Sequence, residues 1–434
     1  MSALLATAAT TSTASILSAP PASATPATTR AVKLVMVTGA NNNKFYDLTD
    51  NGDGTCTAHY GRVGSAGTRR TYPIAQWSRK VREKVRKGYR DVTHLFATNA
   101  PKQGFDIPDA SVRSLVDALT RYATQSIRRN YHVTADQVTA AQVAEAQALL
   151  DGLTALVRQP AAGLGAFNQT LLDLYTVIPR RMGNVQDYLL GALPDPSDTS
   201  SIDTLLADEQ ATLDVMAGQV KVNAQRTTMP DAPQTLEAAM GLRVAVEDDA
   251  ATLKRIQKLM GNDAQLFRRA FRVTSHRTQA AFDDHLTAAS NPRTGLLWHG
   301  SRNENWLSIL ESGLVLRPAN AHITGKMFGY GLYFADRFRK SLGYTSARGA
   351  YWTGGGSNQA YLALYAVHLG KALTVKTWEP WCSQLTAQSL EAHGMLKRRY
   401  DSTHGKAGCS LQNNEYIVYR EAQCTVRYLV EIEA

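Results

Sequence analysis

The sequence predicts a multidomain α+β protein: a small antiparallel β module with a helix, then an all-α bundle, then a C-terminal mixed-sheet α+β domain. Three observations lead there. Short β-type runs with turn signals extend from Lys33 to Phe96, helical periodicity without strand signals extends from Asp106 to Val222, and beyond Pro233 β-rich runs alternate with glycine turns. A length of 434 residues fits about three units of ordinary domain size. With 44% hydrophobic and 19% charged residues, the composition excludes a fibrous or wholly disordered chain.

Residues 1–32 are mostly Ala, Thr, Ser and Pro, with no charged side chain before Arg30. They read as a flexible tail that lacks the basic region of a secretory signal. In the module assigned to 33–104, Val35-Met36-Val37 and Lys44 to Leu48 read as strands. Asn51-Gly52-Asp53-Gly54 reads as the turn of a hairpin and Thr55 to Gly64 as its returning strand. Val81 to Lys87 follows as a basic helix. Ten Lys or Arg lie between Arg62 and Arg90 against the single Glu83, so much of the formal charge of +10 is concentrated here. A localised basic surface is either a solvated face or the footprint of a polyanionic partner such as nucleic acid.

The bundle is assigned to 105–228. Val112, Leu115, Val116 and Leu119 show helical periodicity in one segment, as do Ala144, Ala146, Leu149, Leu150 and Leu153 in another. Pro160, Pro179 and Pro194-Asp195-Pro196 separate helices, Asp203 to Val222 reads as a long late helix, and Pro230 and Pro233 mark the next boundary.

In 229–434, strands are expected at Leu242 to Val246, Ala270 to Val273, Leu296 to Trp298, Gly331 to Phe334, Ala360 to Leu369, Tyr416 to Tyr419 and Tyr428 to Ile432. Two short helices are expected, near Leu253 to Met260 and Trp306 to Ser312. Many short strands with few helices argue against a doubly wound parallel sheet, and no G-x-G-x-x-G or Walker lysine loop follows a strand. A dinucleotide is therefore held in another way. Cys56, Cys382, Cys409 and Cys424 are scattered without a paired spacing, which predicts free thiols and no metal site. No run reaches the roughly eighteen to twenty apolar residues of a spanning helix, so no membrane partner is expected.

Four segments carry a resemblance: Leu296 to Arg302 with Trp298-His299-Gly300-Ser301, Thr324 to Asp336 with Gly329-Tyr330-Gly331-Leu332-Tyr333-Phe334, Lys340-Ser341-Leu342-Gly343-Tyr344, and Asn414-Glu415-Tyr416-Ile417-Val418-Tyr419. In order and spacing they resemble the catalytic region of the poly(ADP-ribose) polymerases. The resemblance implies an ADP-ribosyltransferase that takes NAD⁺ as substrate, needs no metal, and modifies protein acceptors, itself included.

Cleaving the bond between nicotinamide and ribose develops positive charge on the sugar, so a rigid grip on nicotinamide and a carboxylate near the ribose are required. By resemblance, Glu415, His299 and Tyr333 are the catalytic set, and Glu415 holds the hydroxyl beside the reacting carbon. His299 binds the adenine-side ribose, while the Gly300 backbone and the Ser341 hydroxyl hold the carboxamide. Tyr333 and Tyr344 stack on nicotinamide, Ser301 and Asn305 lie near the adenosine half, and Lys340 lies near Glu415. Taken without their flanks, His299 would be a histidine ending a buried strand and Glu415 a surface carboxylate. Tyr330 replaces a lysine common in the family, Arg317 is displaced by two places from an adenosine-contacting arginine, and Thr377 to Ser410 matches poorly.

His59-Tyr60-Gly61-Arg62-Val63-Gly64 resembles the Trp-Gly-Arg signature of a module found in DNA-damage-activated members, with tyrosine in place of tryptophan. That implies DNA strand breaks as partner, with Tyr60 and Arg62 at the strand end and Arg79 and Lys80 on phosphates; RNA or a 5′-phosphate is the other ligand these residues allow. Phe167 to Gly183 resembles the family's regulatory helical domain, which implies autoinhibition. The expected location is intracellular and soluble, in the nucleus of a eukaryote or the cytoplasm of a bacterium or virus. Two other readings stay open at this point: a mono-ADP-ribosyltransferase acting on protein or nucleic-acid ends, and a catalytically weak nucleic-acid-binding protein.

Overall fold

The computed structural model describes residues 30–93, 104–157, 163–193, 200–227, 234–316, 327–391 and 398–434. The tail up to residue 29, Pro160, Pro194 to Pro196, Pro230, Pro233, Arg317 and Thr324 to Lys326 lie outside the described residues.

The N-terminal sheet contains β1 (Ala31–Thr38), β2 (Asn42–Asp50), β3 (Thr55–Arg62), β4 (Thr68–Pro73) and β5 (Arg90–Asp91), in the order β4-β3-β2-β1-β5 with antiparallel neighbours. The turn at Asn51 to Gly54 joins β2 to β3. Gly52 and Gly54 adopt φ of 77° and 82°, which only glycine takes without strain, and the Asp50 and Asp53 carboxylates accept from the Gly52 and Thr55 amides. Helix α1 (Trp77–Arg86) starts earlier than the expected Val81 because Trp77 is buried against Leu34, Tyr46, Leu48, Cys56 and Ala58. Strand β4 was not expected, since its exposed polar residues carry no alternation.

The bundle contains α2 (Ala110–Asn130), α3 (Ala140–Val157), α4 (Leu164–Val177) and α5 (Ser200–Thr227). Asp109 caps α2, accepting from the Ser111 and Val112 amides at 2.7 and 3.0 Å. The stripe Val112, Leu115, Val116 and Leu119 is buried as expected, but against the C-terminal domain, in one core with Phe271, Trp306 and Tyr361. Ala123 and Ile127, further along α2, join the bundle's own core with Leu153, Phe167, Leu171 and Met216. One helix thus belongs to two cores.

The C-terminal part runs α6 (Leu236–Met240), β6 (Leu242–Val246), α7 (Ala250–Met260), β7 (Phe267–Ser275), α8 (His276–Ala288), β8 (Thr294–Gly300), α9 (Trp306–Ser312), β9 (Leu332–Phe334), α10 (Phe338–Leu342), β10 (Gln359–His368), β11 (Ala372–Val375), α11 (Ala387–Leu390), β12 (Ser402–Gly405), β13 (Glu415–Val418) and β14 (Cys424–Glu433). The first sheet, β6-β7-β14-β10-β8, is antiparallel throughout. The second, β11-β12-β13-β9, is mixed, because β11 and β12 run parallel. The expected strands all form. Helix α8 was missed: only Phe282 of it is buried, so it shows no apolar stripe. Strands β11 and β12 were also missed, being four residues each.

The sheets meet at a bridge between Trp298 and Ala335, whose amides and carbonyls exchange hydrogen bonds of 2.8 and 3.0 Å. This junction sets the site, since His299 follows Trp298 on β8 and Tyr333 sits on β9 just before Ala335. Among the described residues, no helix is long and apolar enough to cross a membrane.

Candidate active site

His299 is fixed at the junction through Nδ1, which lies 3.0 Å from the Tyr333 carbonyl oxygen. A carbonyl only accepts, so Nδ1 carries the hydrogen and Nε2 keeps its lone pair. The ring is enclosed by Trp306, Phe334 and Tyr365 at centroid separations of 6.4, 5.7 and 6.0 Å. Burial pushes the imidazole pKa down, opposed in part by the Tyr333 carbonyl, and holds it neutral. The outcome is an acceptor of fixed orientation.

Tyr333 is tied at both ends. Its hydroxyl donates to the Gly329 carbonyl at 2.8 Å and accepts from the Phe328 amide at 3.1 Å, while its own carbonyl holds His299. Burial drives its phenol pKa well above the ordinary range, so the ring stays neutral. Tyr344 follows α10 and is 40% exposed. Its phenol is also raised, first by burial and then by the Glu415 carboxylate, and that carboxylate acts on Tyr333 as well.

Glu415 begins β13 opposite Gly405 and is 8% exposed. Lys340 on α10 pairs with its Oε1. Oε2 is buried without a hydrogen-bond partner among the described residues. A buried carboxylate oxygen without a partner is costly, so Oε2 is an available hydrogen-bond acceptor.

Gly300 leaves no room for a side chain: a Cβ there would lie 1.9 Å from the Ser341 carbonyl oxygen. The close approach brings the end of β8 against α10, where Ser341 is buried. Ser301 accepts from Asn305 Nδ2 at 3.2 Å, leaving Asn305 Oδ1 buried without a partner among the described residues. Thus His299, Gly300, Tyr333, Lys340, Ser341, Tyr344 and Glu415 gather at one junction, with Ser301 and Asn305 beside them at the start of α9.

On the basic module, the Tyr60 ring stacks on Tyr46 at 5.7 Å, and Lys84 lies over both rings at 5.8 and 4.5 Å. Lys80 lies over Tyr72 at 4.1 Å, and Arg79 donates to Gln76 at 3.0 Å. Arg62 faces the bundle instead. It donates to the Asn41 carbonyl and Oδ1 at 3.0 and 2.8 Å and to the Gly183 carbonyl at 2.6 Å. Arg90 pairs with Asp173 at 2.6 Å across the same boundary.

Two regions of the chain match known protein families. Residues 251–434 match the poly(ADP-ribose) polymerase catalytic domain and residues 30–95 the WGR domain. The poly(ADP-ribose) polymerase-like protein 100L of invertebrate iridescent virus 6 is 32% identical over 163 residues, covering 37% of this chain and 83% of that protein. The chain belongs to the poly(ADP-ribose) polymerase family. Poly(ADP-ribose) polymerase 2 of Homo sapiens is 36% identical over 158 residues, 32% of this chain and 26% of that protein. Its counterpart in Arabidopsis thaliana is 33% identical over 188 residues, 39% of this chain and 28% of that protein. As a member of this family the chain is an NAD⁺-dependent ADP-ribosyltransferase, with NAD⁺ as substrate. Among the described residues, no group of three or more His, Cys, Asp or Glu gathers that could hold a metal ion.

Some of what surrounds this polymerase site was not assigned from sequence. Asn414 Nδ2 donates to Asp336 Oδ2 at 2.7 Å and Asn414 Oδ1 accepts from the Ala407 amide at 2.9 Å, which fixes the chain just before Glu415. Both residues lie inside the recognised segments, and their polar side chains flanking strands were the available signal. Trp352 stacks on Tyr344 with centroids 6.0 Å apart and planes 16° apart. It lies in a glycine-rich loop that gave no signal.

Proposed function

We propose that the chain cleaves NAD⁺ at the nicotinamide–ribose bond, transfers ADP-ribose to protein acceptors including itself, extends it into polymer, and is stimulated by DNA strand breaks. The open Oε2 of Glu415, beside the pair with Lys340, is the observation that carries the reading. It supports a carboxylate that receives a ribose hydroxyl and offsets positive charge developing on the sugar. His299 Nε2 accepts from the adenine-side ribose. The Gly300 backbone and the Ser341 hydroxyl hold the carboxamide, Tyr333 and Tyr344 take the ring between them, and Ser301 and Asn305 meet the adenosine half.

Residues 105–228 act in this scheme as the regulatory unit. Lys221 and Gln225 on α5 reach Glu311 on α9, each at 2.9 Å, and α5 packs so closely at Gly218 that a Cβ there would lie 2.5 Å from Ser308. Helix α9 also carries Trp306 against His299. Tyr60, Arg79 and Lys80 engage the broken DNA end, and Arg62 carries the event to the bundle. The result is a shift toward a state that admits NAD⁺, which requires DNA to bind that state more tightly.

The test is NAD⁺ turnover with labelled adenine, with and without nicked or 5′-phosphorylated DNA, resolved by product length. DNA-stimulated ladders support the proposal. Single units formed at the same rate without DNA would remove polymer formation and sensing while leaving the transferase.

A further inference from the structure

We infer that Trp352 is a positioning residue that backs Tyr344 and sets how firmly nicotinamide is held. The inference rests on the reading of Tyr344 as one wall of the nicotinamide site. At 40% exposed and just past the end of a short helix, the Tyr344 ring would have rotational freedom to lose on stacking with a ligand. Trp352 limits that freedom by lying nearly parallel to the ring, 6.0 Å away at 16°.

The loop carrying Trp352 is fastened to the segment carrying Tyr344. The Trp352 amide donates to the Gly343 carbonyl at 3.1 Å, the Ser357 amide donates to the Ser346 carbonyl at 2.9 Å, and the Thr353 hydroxyl donates to the Thr345 carbonyl. The indole also closes the space over Gly343, where a Cβ would lie 3.2 Å from Cδ1. Tyr351 braces the indole edge-on at 4.8 Å and 87°. Trp352 is nevertheless 64% exposed, so core burial does not account for its placement. Covering one face of Tyr344, it leaves the opposite face for the ligand.

The full-length protein carrying Trp352→Ala, Trp352→Phe or Tyr344→Ala tests this through KM for NAD⁺, kcat, and inhibition by nicotinamide. Trp352→Ala is expected to raise KM and the nicotinamide inhibition constant together by about three- to tenfold, the worth of one aromatic stack, with kcat unchanged. Trp352→Phe is expected to restore most of the loss, and the exposed position leaves the thermal midpoint in place. If Tyr344→Ala raises both constants and Trp352→Ala raises neither, the inference is wrong and the wall reading survives. Tighter binding in Trp352→Ala would mean that the indole covers the face the ligand needs, which also overturns it. Unchanged constants in Tyr344→Ala would remove the wall reading and the inference with it.

Discussion

Arg62 Nη2 donates a 2.6 Å hydrogen bond to the carbonyl oxygen of Gly183, so the signature arginine of the basic module grips the helical bundle. Nε donates to the Met182 carbonyl at 3.4 Å, and Nη1 and Nη2 also reach Asn41, whose Oδ1 accepts from the Val185 amide at 3.0 Å as well. Asn41 holds a φ of 60°, uncommon outside glycine, and thereby meets Arg62 and the bundle at once. The arginine is placed to couple two units.

Arg62→Ala is therefore expected to lower DNA-stimulated turnover while changing DNA affinity by no more than about threefold, the size of one exposed charged contact. Tyr60→Ala is expected to weaken DNA binding itself. Fluorescence anisotropy with nicked DNA, paired with NAD⁺ turnover, separates the two; a large affinity loss in Arg62→Ala with stimulation intact at saturating DNA would reverse the assignment.

Replacing Lys221 and Gln225 together by alanine is expected to free α5 from Glu311 and raise turnover without DNA. The measurement is the basal rate against the DNA-saturated rate. A basal rate equal to wild type would show that this contact does not restrain the enzyme.

Acid should weaken substrate binding through His299. Its folded-state pKa lies below the ordinary 6.5 because burial disfavours the charged ring. The stability this neutral imidazole contributes is complete above pH 6.5 and is lost as pH falls through the lowered value. Protonating Nε2 also turns the acceptor into a donor. KM for NAD⁺ is expected to stay flat through pH 6.5 and to rise only as pH falls toward the lowered folded-state value, with that limb absent in His299→Gln. Tighter binding on acidification would contradict the assigned tautomer.

Gly300→Ala is expected to destabilise the protein by at least about 1 to 3 kcal/mol, because the added methyl meets a backbone oxygen that cannot rotate away. Thermal melts with and without a nicotinamide analogue check this. An unchanged midpoint would mean that β8 and α10 separate more easily than their contact suggests.

Much of this was legible in the sequence, for identifiable reasons. His299, Gly300, Tyr333 and Glu415 lie in contiguous segments whose β-type runs also set their strands, so chemistry and local structure were read together. The pairing of Lys340 with Glu415, 75 residues apart, came only through resemblance, because spacing does not reveal which distant strands adjoin. Periodicity showed that the Val112 to Leu119 face of α2 is buried, but not that it is buried against the C-terminal domain. Helix α8 turns one large apolar residue inward, and β11 and β12 are too short to show alternation. Trp352 follows a local loop geometry that no hydrophobic pattern encodes.

The most direct test of the central claim is the rate of nicotinamide release from NAD⁺ by wild type and by Glu415→Gln, with binding of a nicotinamide analogue measured in parallel. The amide keeps the shape of the carboxylate and removes its charge. Release is expected to fall by about two to three orders of magnitude, equivalent to about 3 to 4 kcal/mol of transition-state stabilisation, with analogue binding preserved. Release within a few-fold of wild type, with the analogue still bound, would show that the Glu415 carboxylate does not carry the reaction.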